Sequence, residues 1–164
     1  MPGRRKEQDG PVDHHMVVEI PRGSRNKYEV DERTGAVWLD RRLFTAMQYP
    51  ADYGYLADTL AQDNDPLDAL VLVDEPTFPG CHIQVRAVAV IWMTDEEGPD
   101  AKILCVPAGD PRWSEVADVG DLPEHVVAEI EHFFGTYKEL EPGKESETRG
   151  FAGADAAQHI IREA

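Results

Sequence analysis

The chain has 164 residues, with 32 Asp and Glu against 16 Lys and Arg, for a formal net charge of −16. A chain of this length reads as one domain able to bury roughly 70% of its unfolded surface, and its acidity opposes a sequence-independent grip on nucleic acid or an anionic membrane. No stretch approaches the ~18–20 apolar residues of a membrane span, no apolar signal core is present, and Cys81 and Cys105 form no CxxC pair, so the expectation is a cytoplasmic protein.

Twelve prolines and thirteen glycines favour a β-rich body. Residues 1–15, "MPGRRKEQDGPVDHH", read as a polar, disordered extension whose adjacent His14 and His15 are surface histidines without a role; residues 16–164 read as the domain. "MVVEI" (16–20) and "KYEV" (27–30) predict strands, and "DERTG" turns the second into "AVWLD" (36–40) as a hairpin. "FTAMQYPADYGYL" (44–56) has no clear period and is expected to be irregular with short extended pieces. "DALVLV" (68–73) resembles a strand buried on both faces. After the turn "EPTFPG", the stretch "CHIQVRAVAVIWMT" (81–94) is a long strand candidate, with Ile83, Val85 and Ala87 on its buried side. "DEEGPD" is a loop, and "AKILCVP" (101–107) is the returning strand, with Cys105 inside its apolar run. Val126, Val127, Ile130, Phe133, Phe134, Tyr137 and Leu140 then fall at helical spacing, which predicts a helix over 122–140. Asp121 and Glu124 have the spacing of its capping box, Pro123 suits its first turn, and Pro142-Gly143 stops it. "DAAQHIIRE" predicts a second, short helix.

Two acidic clusters carry the chemistry. Asp63, Asp65 and Asp68 crowd the entry to an apolar strand, and Asp95, Glu96, Glu97 and Asp100 stand on the loop before Lys102. A calcium loop of the EF-hand type fails, because counting from Asp63 puts Asp68 where Gly is required and Asp74 where Glu is. An Asx-rich turn explains the first cluster taken alone, and a solvated hairpin tip explains the second. Two acid-dense loops, each beside an apolar strand, instead point to a shared site. Oxygen ligands without Cys or aligned His favour a hard cation, Mg2+ or Mn2+ before Zn2+. Lys27 beside Glu29, Arg41, Tyr49, Tyr53, Lys102, Tyr137 and Lys138 form a basic and phenolic complement. Each has a plain structural explanation, since lysines snorkel and tyrosines fill cores with a wet tip, so the signal lies in the combination.

At "DNDPLDA" (63–69) the chain resembles the signature of soluble family I inorganic pyrophosphatases. "VVEIPRGSRNKYEVD", "GAVWLDRRLFTAMQYPADYGYL", "FPG", "MTDEEGPDAKILCVP", "GDPRW" and "HFFGTYKELEPGK" are similar to that family in order and spacing over about residues 16–144, in an actinobacterial style. The resemblance implies an α+β fold, mainly β, built on a five-stranded OB-like barrel with flanking helices. It also implies Mg2+-dependent hydrolysis of pyrophosphate to two phosphates, with Mn2+ as a possible substitute. Asp63, Asp68 and Asp100 resemble ligands of the principal metal pair, Asp95 joins Asp100 on a further metal, and Glu19 and Glu29 resemble acidic wall residues. Lys27, Arg41, Tyr53, Lys102, Tyr137 and Lys138 match the phosphate-holding residues, and Tyr49 a supporting tyrosine.

Asp65 is favoured as proton acceptor, with Asp100 as the alternative. The implied assembly is a homo-oligomer, with a hexamer favoured. Thr136 stands where many bacterial relatives have a second histidine beside His132, and Phe151 where Trp is common. A nucleotide phosphoanhydride is the weaker substrate, because no glycine-rich phosphate loop is present. The non-enzyme reading is an acidic cation-binding module, and the net charge opposes nucleic acid as its partner.

Overall fold

The computed structural model describes residues 12–61 and 63–164. Among them the chain order is β1 (Asp13–Ile20), β2 (Asn26–Val30), β3 (Val37–Arg42), β4 (Asp52–Leu56), β5 (Asp68–Val71), β6 (His82–Asp95), β7 (Gly98–Pro99), β8 (Lys102–Pro107), α1 (Glu124–Thr136), β9 (Ser146–Gly153) and α2 (Ala154–Glu163). Short 3-10 turns at Pro111–Trp113 and Val119–Asp121 join β8 to α1. The extension expected over residues 1–15 is shortened by β1, because Asp13, His14 and His15 pair with Arg86, Val85 and Gln84. The rest of it, residues 1–11, lies outside the described residues.

Five strands close a ring. β1 pairs antiparallel with β4, β4 with β5, β5 in parallel with β8, and β8 antiparallel with β6, which returns to β1. The 14-residue β6 is long enough to leave the ring, and its second half pairs with β9. Continuous apolar runs follow from burial on both faces. Ala69 and Val71 of β5, with Ile103 and Cys105 of β8, join one core with Met16, Val18 and Leu56. Leu70 and Leu72, with Leu104 and Val106, join a second core beneath α1. In β6 the extra residue Val88 sits between two pairings, Ala87 with Cys105 and Ala89 with Leu104. That bulge reverses the alternation, so Ala87 faces the first core while Val88 and Ala89 both face the second. Gly54 allows β1 and β4 to meet closely, since a Cβ there would lie 1.9 Å from the Val17 carbonyl oxygen.

Helix α1 buries Ile130, Phe133 and Phe134 on the second core, as the spacing predicts, but it ends at Thr136 rather than 140. Its expected cap is different. The Asp121 carboxylate accepts from the Ala117 and Asp118 N–H groups, closing the 3-10 turn, and Pro123 precedes α1 without a side-chain cap. Asp118 in turn accepts from the Ala154 N–H and holds the start of α2. Strand β9 was not expected, and β3 is an exposed strand despite its apolar residues: Val37, Trp38 and Leu39 are all solvent-facing.

Candidate active site

Parallel pairing positions the site. The register sets Asp68, first residue of β5, beside Lys102, first residue of β8. The loops that enter these two strands therefore open on one rim of the ring, and the two acidic clusters become neighbours. Lys102 is only 1% exposed. A buried ammonium is costly unless it is paired and hydrogen-bonded. Here Nζ donates to Tyr53 Oη at 2.8 Å, Asp100 Oδ2 at 2.9 Å and Asp68 Oδ2 at 3.0 Å, which uses all three donors. Burial pulls the Lys102 pKa down, but Asp68, Tyr53 and Asp100 outweigh it and keep the ammonium charged.

The two carboxylates respond differently to the lysine they share. Burial opposes ionisation of Asp68, yet Lys102 prevails and holds it below the ordinary carboxylate range. For Asp100, burial and then the neighbouring Asp68 charge outweigh Lys102, and its pKa rises to about 6. Glu19, on β1, is pushed up to about 7 chiefly by burial, with Asp68 and Glu29 adding to the effect, although its Oε2 accepts from the Val30 N–H at 2.9 Å.

The opposite wall comes from the β2–β3 hairpin and the segment after α1. Lys27 Nζ lies 3.1 Å from Asp40 Oδ2 and 3.5 Å from Glu29 Oε1. Arg41 is clamped between Asp40 Oδ2 and Glu141 Oε1, each at 2.7 Å. Glu141 is 6% exposed, so its side of the clamp is largely screened from water, whereas Asp40 is exposed. Lys138 Nζ faces Asp95 at 3.7 Å and Glu96 at 3.5 Å, while Lys144 reaches Glu96 at 3.2 Å. Burial opposes ionisation of Glu96, but its own backbone N–H, Lys144 and Lys138 together outweigh it and hold the pKa at about 2. Beneath the cleft, Tyr49 packs against Tyr53 and Phe133, and Tyr137 stacks on Phe133 with 5.0 Å between ring centroids. This aromatic layer ties α1 to the Lys102 floor.

These walls enclose a cleft of about 530 Å³. It brings together Glu19, Lys27, Glu29, Arg41, Tyr49, Tyr53, Asp63, Asp65, Asp68, Asp95, Asp100, Lys102, Tyr137 and Lys138. Asp63 and Asp65 are exposed at its rim, and Asp63 Oδ1 accepts the Asp65 N–H at 3.0 Å, which is the Asx turn expected of that sequence. Asn64 between them takes a left-handed φ of 67°. Sequence reasoning missed Asp40, Glu141 and Lys144. Asp40 and Glu141 acquire meaning only through Arg41, and nothing local marks Glu141 as buried.

The donor set toward the cleft is oxygen from carboxylates, with no thiol or imidazole among the described residues of its lining. That chemistry suits a hard cation which keeps much of its water. Among the described residues, no three His, Cys, Asp or Glu side chains stand close enough to enclose a metal by themselves. An ion bound through one or two carboxylates, water and substrate oxygens is compatible with this arrangement, as Mg2+ commonly is.

The family model described as inorganic pyrophosphatase matches residues 16–164. An inorganic pyrophosphatase of Leifsonia xyli subsp. xyli is 56% identical over 149 residues, 91% of each chain. One of Streptomyces coelicolor is 53% identical over 150 residues, 92% of each chain. The crystal structure of inorganic pyrophosphatase from Thermus thermophilus aligns with a TM-score of 0.90 at 48% identity, covering 94% of this chain and 90% of that one.

Proposed function

The chain belongs to the inorganic pyrophosphatase family, whose members hydrolyse pyrophosphate to phosphate, and on that premise we propose how its cleft performs the reaction. The observation that carries the reading is the convergence of two acidic loops over a buried, fully paired Lys102, faced by Lys27, Arg41 and Lys138 across one cleft. Pyrophosphate resists attack because its oxygens are anionic, so hydrolysis needs charge neutralisation and an activated water.

Lys27, Arg41, Lys138 and the Tyr137 hydroxyl bind the phosphate oxygens and carry positive charge where the transition state spreads negative charge. The resemblance matches Tyr53 and Lys102 to phosphate-holding residues as well; because all three Lys102 donors are already taken by Tyr53, Asp68 and Asp100, we assign this pair to orienting the two carboxylates, and Tyr49 supports them from below. Asp63, Asp68 and Asp100 would hold the principal Mg2+ ions, Asp95 a further one, with Glu19 and Glu29 reaching them directly or through water and Mn2+ as a substitute. Bound Mg2+ supplies positive charge to the phosphates and lowers the pKa of a water. The Asp65 carboxylate accepts the proton of the attacking water as the water oxygen bonds to phosphorus and the bridging P–O bond breaks. Asp100 is the alternative acceptor, since a carboxylate on the metal also lies close to the attacking water.

We read the five-stranded ring as an OB-like barrel, place the enzyme in the cytoplasm with Cys81 and Cys105 as free thiols, and favour a homo-hexamer. Light scattering on a size-exclusion column tests the last of these. For the reaction, phosphate release from pyrophosphate is measured with Mg2+, with excess EDTA, and with ATP in place of pyrophosphate. Fast Mg2+-dependent release with ATP nearly inert supports the reading; equal rates on ATP overturn its substrate assignment.

A further inference from the structure

Outside the cleft, the strongest unassigned cluster is at the seam where β1 meets β6. Adjacent His14 and His15 lie on opposite faces of β1, because successive strand residues point to opposite sides. His14 turns toward α2, where its Nε2 is 3.3 Å from Gln158 Oε1. His15 turns outward. The register pairs His15 with Gln84 and Val17 with His82, so His15 and His82 are diagonal neighbours on one face. Their facing nitrogens, His15 Nε2 and His82 Nδ1, are 2.6 Å apart, with ring centroids 4.8 Å apart and planes tilted by 37°. His15 is half-buried and His82 exposed, so the pair is open to solution.

In the metal-free pair one ring donates its N–H to the other's lone pair. Moving that proton to the donor ring's far nitrogen leaves two lone pairs facing each other along the short N···N line. A cation held at a right angle by two imidazoles at about 2.0–2.1 Å each needs its nitrogens roughly 3 Å apart, so the rings must part by a few tenths of an ångström and turn until both lone pairs meet the ion. Imidazole ligands select late first-row transition ions, whereas the all-carboxylate cleft suits hard ions. The two sites therefore sort metals by chemistry. We propose that His15 and His82 form a two-histidine site for a divalent late transition cation, Cu2+ binding most tightly and Ni2+ and Zn2+ less so. The ion bridges the two strands whose pairing closes the ring, so binding it stabilises the folded chain by mass action.

The test uses the full chain in saturating Mg2+, which occupies the carboxylates. One equivalent of CuCl2 is followed by electron paramagnetic resonance, and NiCl2 by its effect on the thermal midpoint, in the natural chain and in His15→Gln, His82→Gln and His14→Gln. Circular dichroism first establishes that each variant is folded. The expected result is a Cu2+ spectrum split by two imidazole nitrogens and a rise in midpoint with NiCl2, both kept in His14→Gln. His15→Gln and His82→Gln should each lose the two-nitrogen splitting and about tenfold or more in apparent Ni2+ affinity. An unchanged spectrum and midpoint shift in either variant, or their loss in His14→Gln, overturns the assignment. Pyrophosphate hydrolysis without these added ions is expected to be the same in all four proteins.

Discussion

The two acidic loops at the rim of the cleft have similar sequences but different electrostatics. In the loop at 95–100, Asp95 and Glu96 face Lys138, Glu96 also faces Lys144, and Asp100 bonds Lys102. In the loop at 63–68, only Asp68 has a basic partner among the described residues, while Asp63 and Asp65 stand exposed with an Asx turn between them. Three of the four acids of the 95–100 loop thus face a protein cation and Glu97 faces none among the described residues, whereas Asp63 and Asp65 of the other loop are left for something brought from solution. Acidic density by itself therefore does not say how each carboxylate meets a cation: Asp68, Asp95 and Asp100 are shared with Lys102 or Lys138, while Asp63 has only what solution brings.

The comparison breaks most severely at the lysine beneath both loops. Lys102→Met should leave Asp68 and Asp100 without their shared cation and cost about 3–5 kcal/mol, read as a lower urea midpoint. Hydrolysis should be lost with it. Asp65→Asn sharpens the contrast, because Asp65 is exposed and pairs with no cation among the described residues. Its turnover should fall about 10²–10⁴-fold as expected for a lost general base, with the urea midpoint nearly unchanged. If Asp100→Asn shows the larger loss instead, proton acceptance moves to the other loop.

A third test separates Arg41 from its support. Glu141→Gln removes the charge that clamps the guanidinium from within, and turnover should fall about tenfold, roughly 1.4 kcal/mol in barrier, while Mg2+ binding is kept. A loss of Mg2+ binding in this variant would place Glu141 with the metal ligands instead.

The metal-free protein should also show the difference through pH. Glu19 and Asp100 have folded pKa values raised to about 7 and about 6, so over that range the folded state binds more protons than the unfolded one. Stability contributed by these groups is present below their unfolded pKa and is lost as pH rises through 6 to 7. Glu96 behaves oppositely: held at about 2, its contribution is present above its unfolded pKa of 4.5 and is lost as pH falls toward 2. Urea midpoints of metal-free protein should therefore decline between about pH 5 and 7.5, and saturating Mg2+ should flatten the decline by favouring the ionised carboxylates. The smallest effect is at Lys144, whose side chain is exposed; Lys144→Ala should change stability by less than about 1 kcal/mol.

Much of this was legible in the sequence where burial and period speak locally. The apolar runs of β5, β6 and β8, the β2–β3 hairpin with its polar turn, and the Ile130, Phe133 and Phe134 face of α1 follow from spacing alone. Strand β9 was hidden because "SETRGFAG" has no apolar alternation; it becomes a strand by pairing with the free half of β6. The spacing overruns the helix because Tyr137 continues its period, although that ring stacks on Phe133 past the last helical residue, Thr136. The expected capping box failed because Asp121 is consumed by a tighter turn. At the site, residue types announced the acidic loops, but what neutralises each carboxylate depends on partners distant in the chain. The parallel β5–β8 register and the Arg41–Glu141 clamp are of that kind.

The most direct measurement is Mg2+ affinity by titration calorimetry in Asp63→Asn and Glu96→Gln beside the natural chain. If Asp63 is a ligand and Glu96, held by Lys138 and Lys144, is not, Asp63→Asn should weaken Mg2+ binding about tenfold or more, while Glu96→Gln stays within about twofold. Equal losses in the two variants, or a larger loss in Glu96→Gln, would contradict the account.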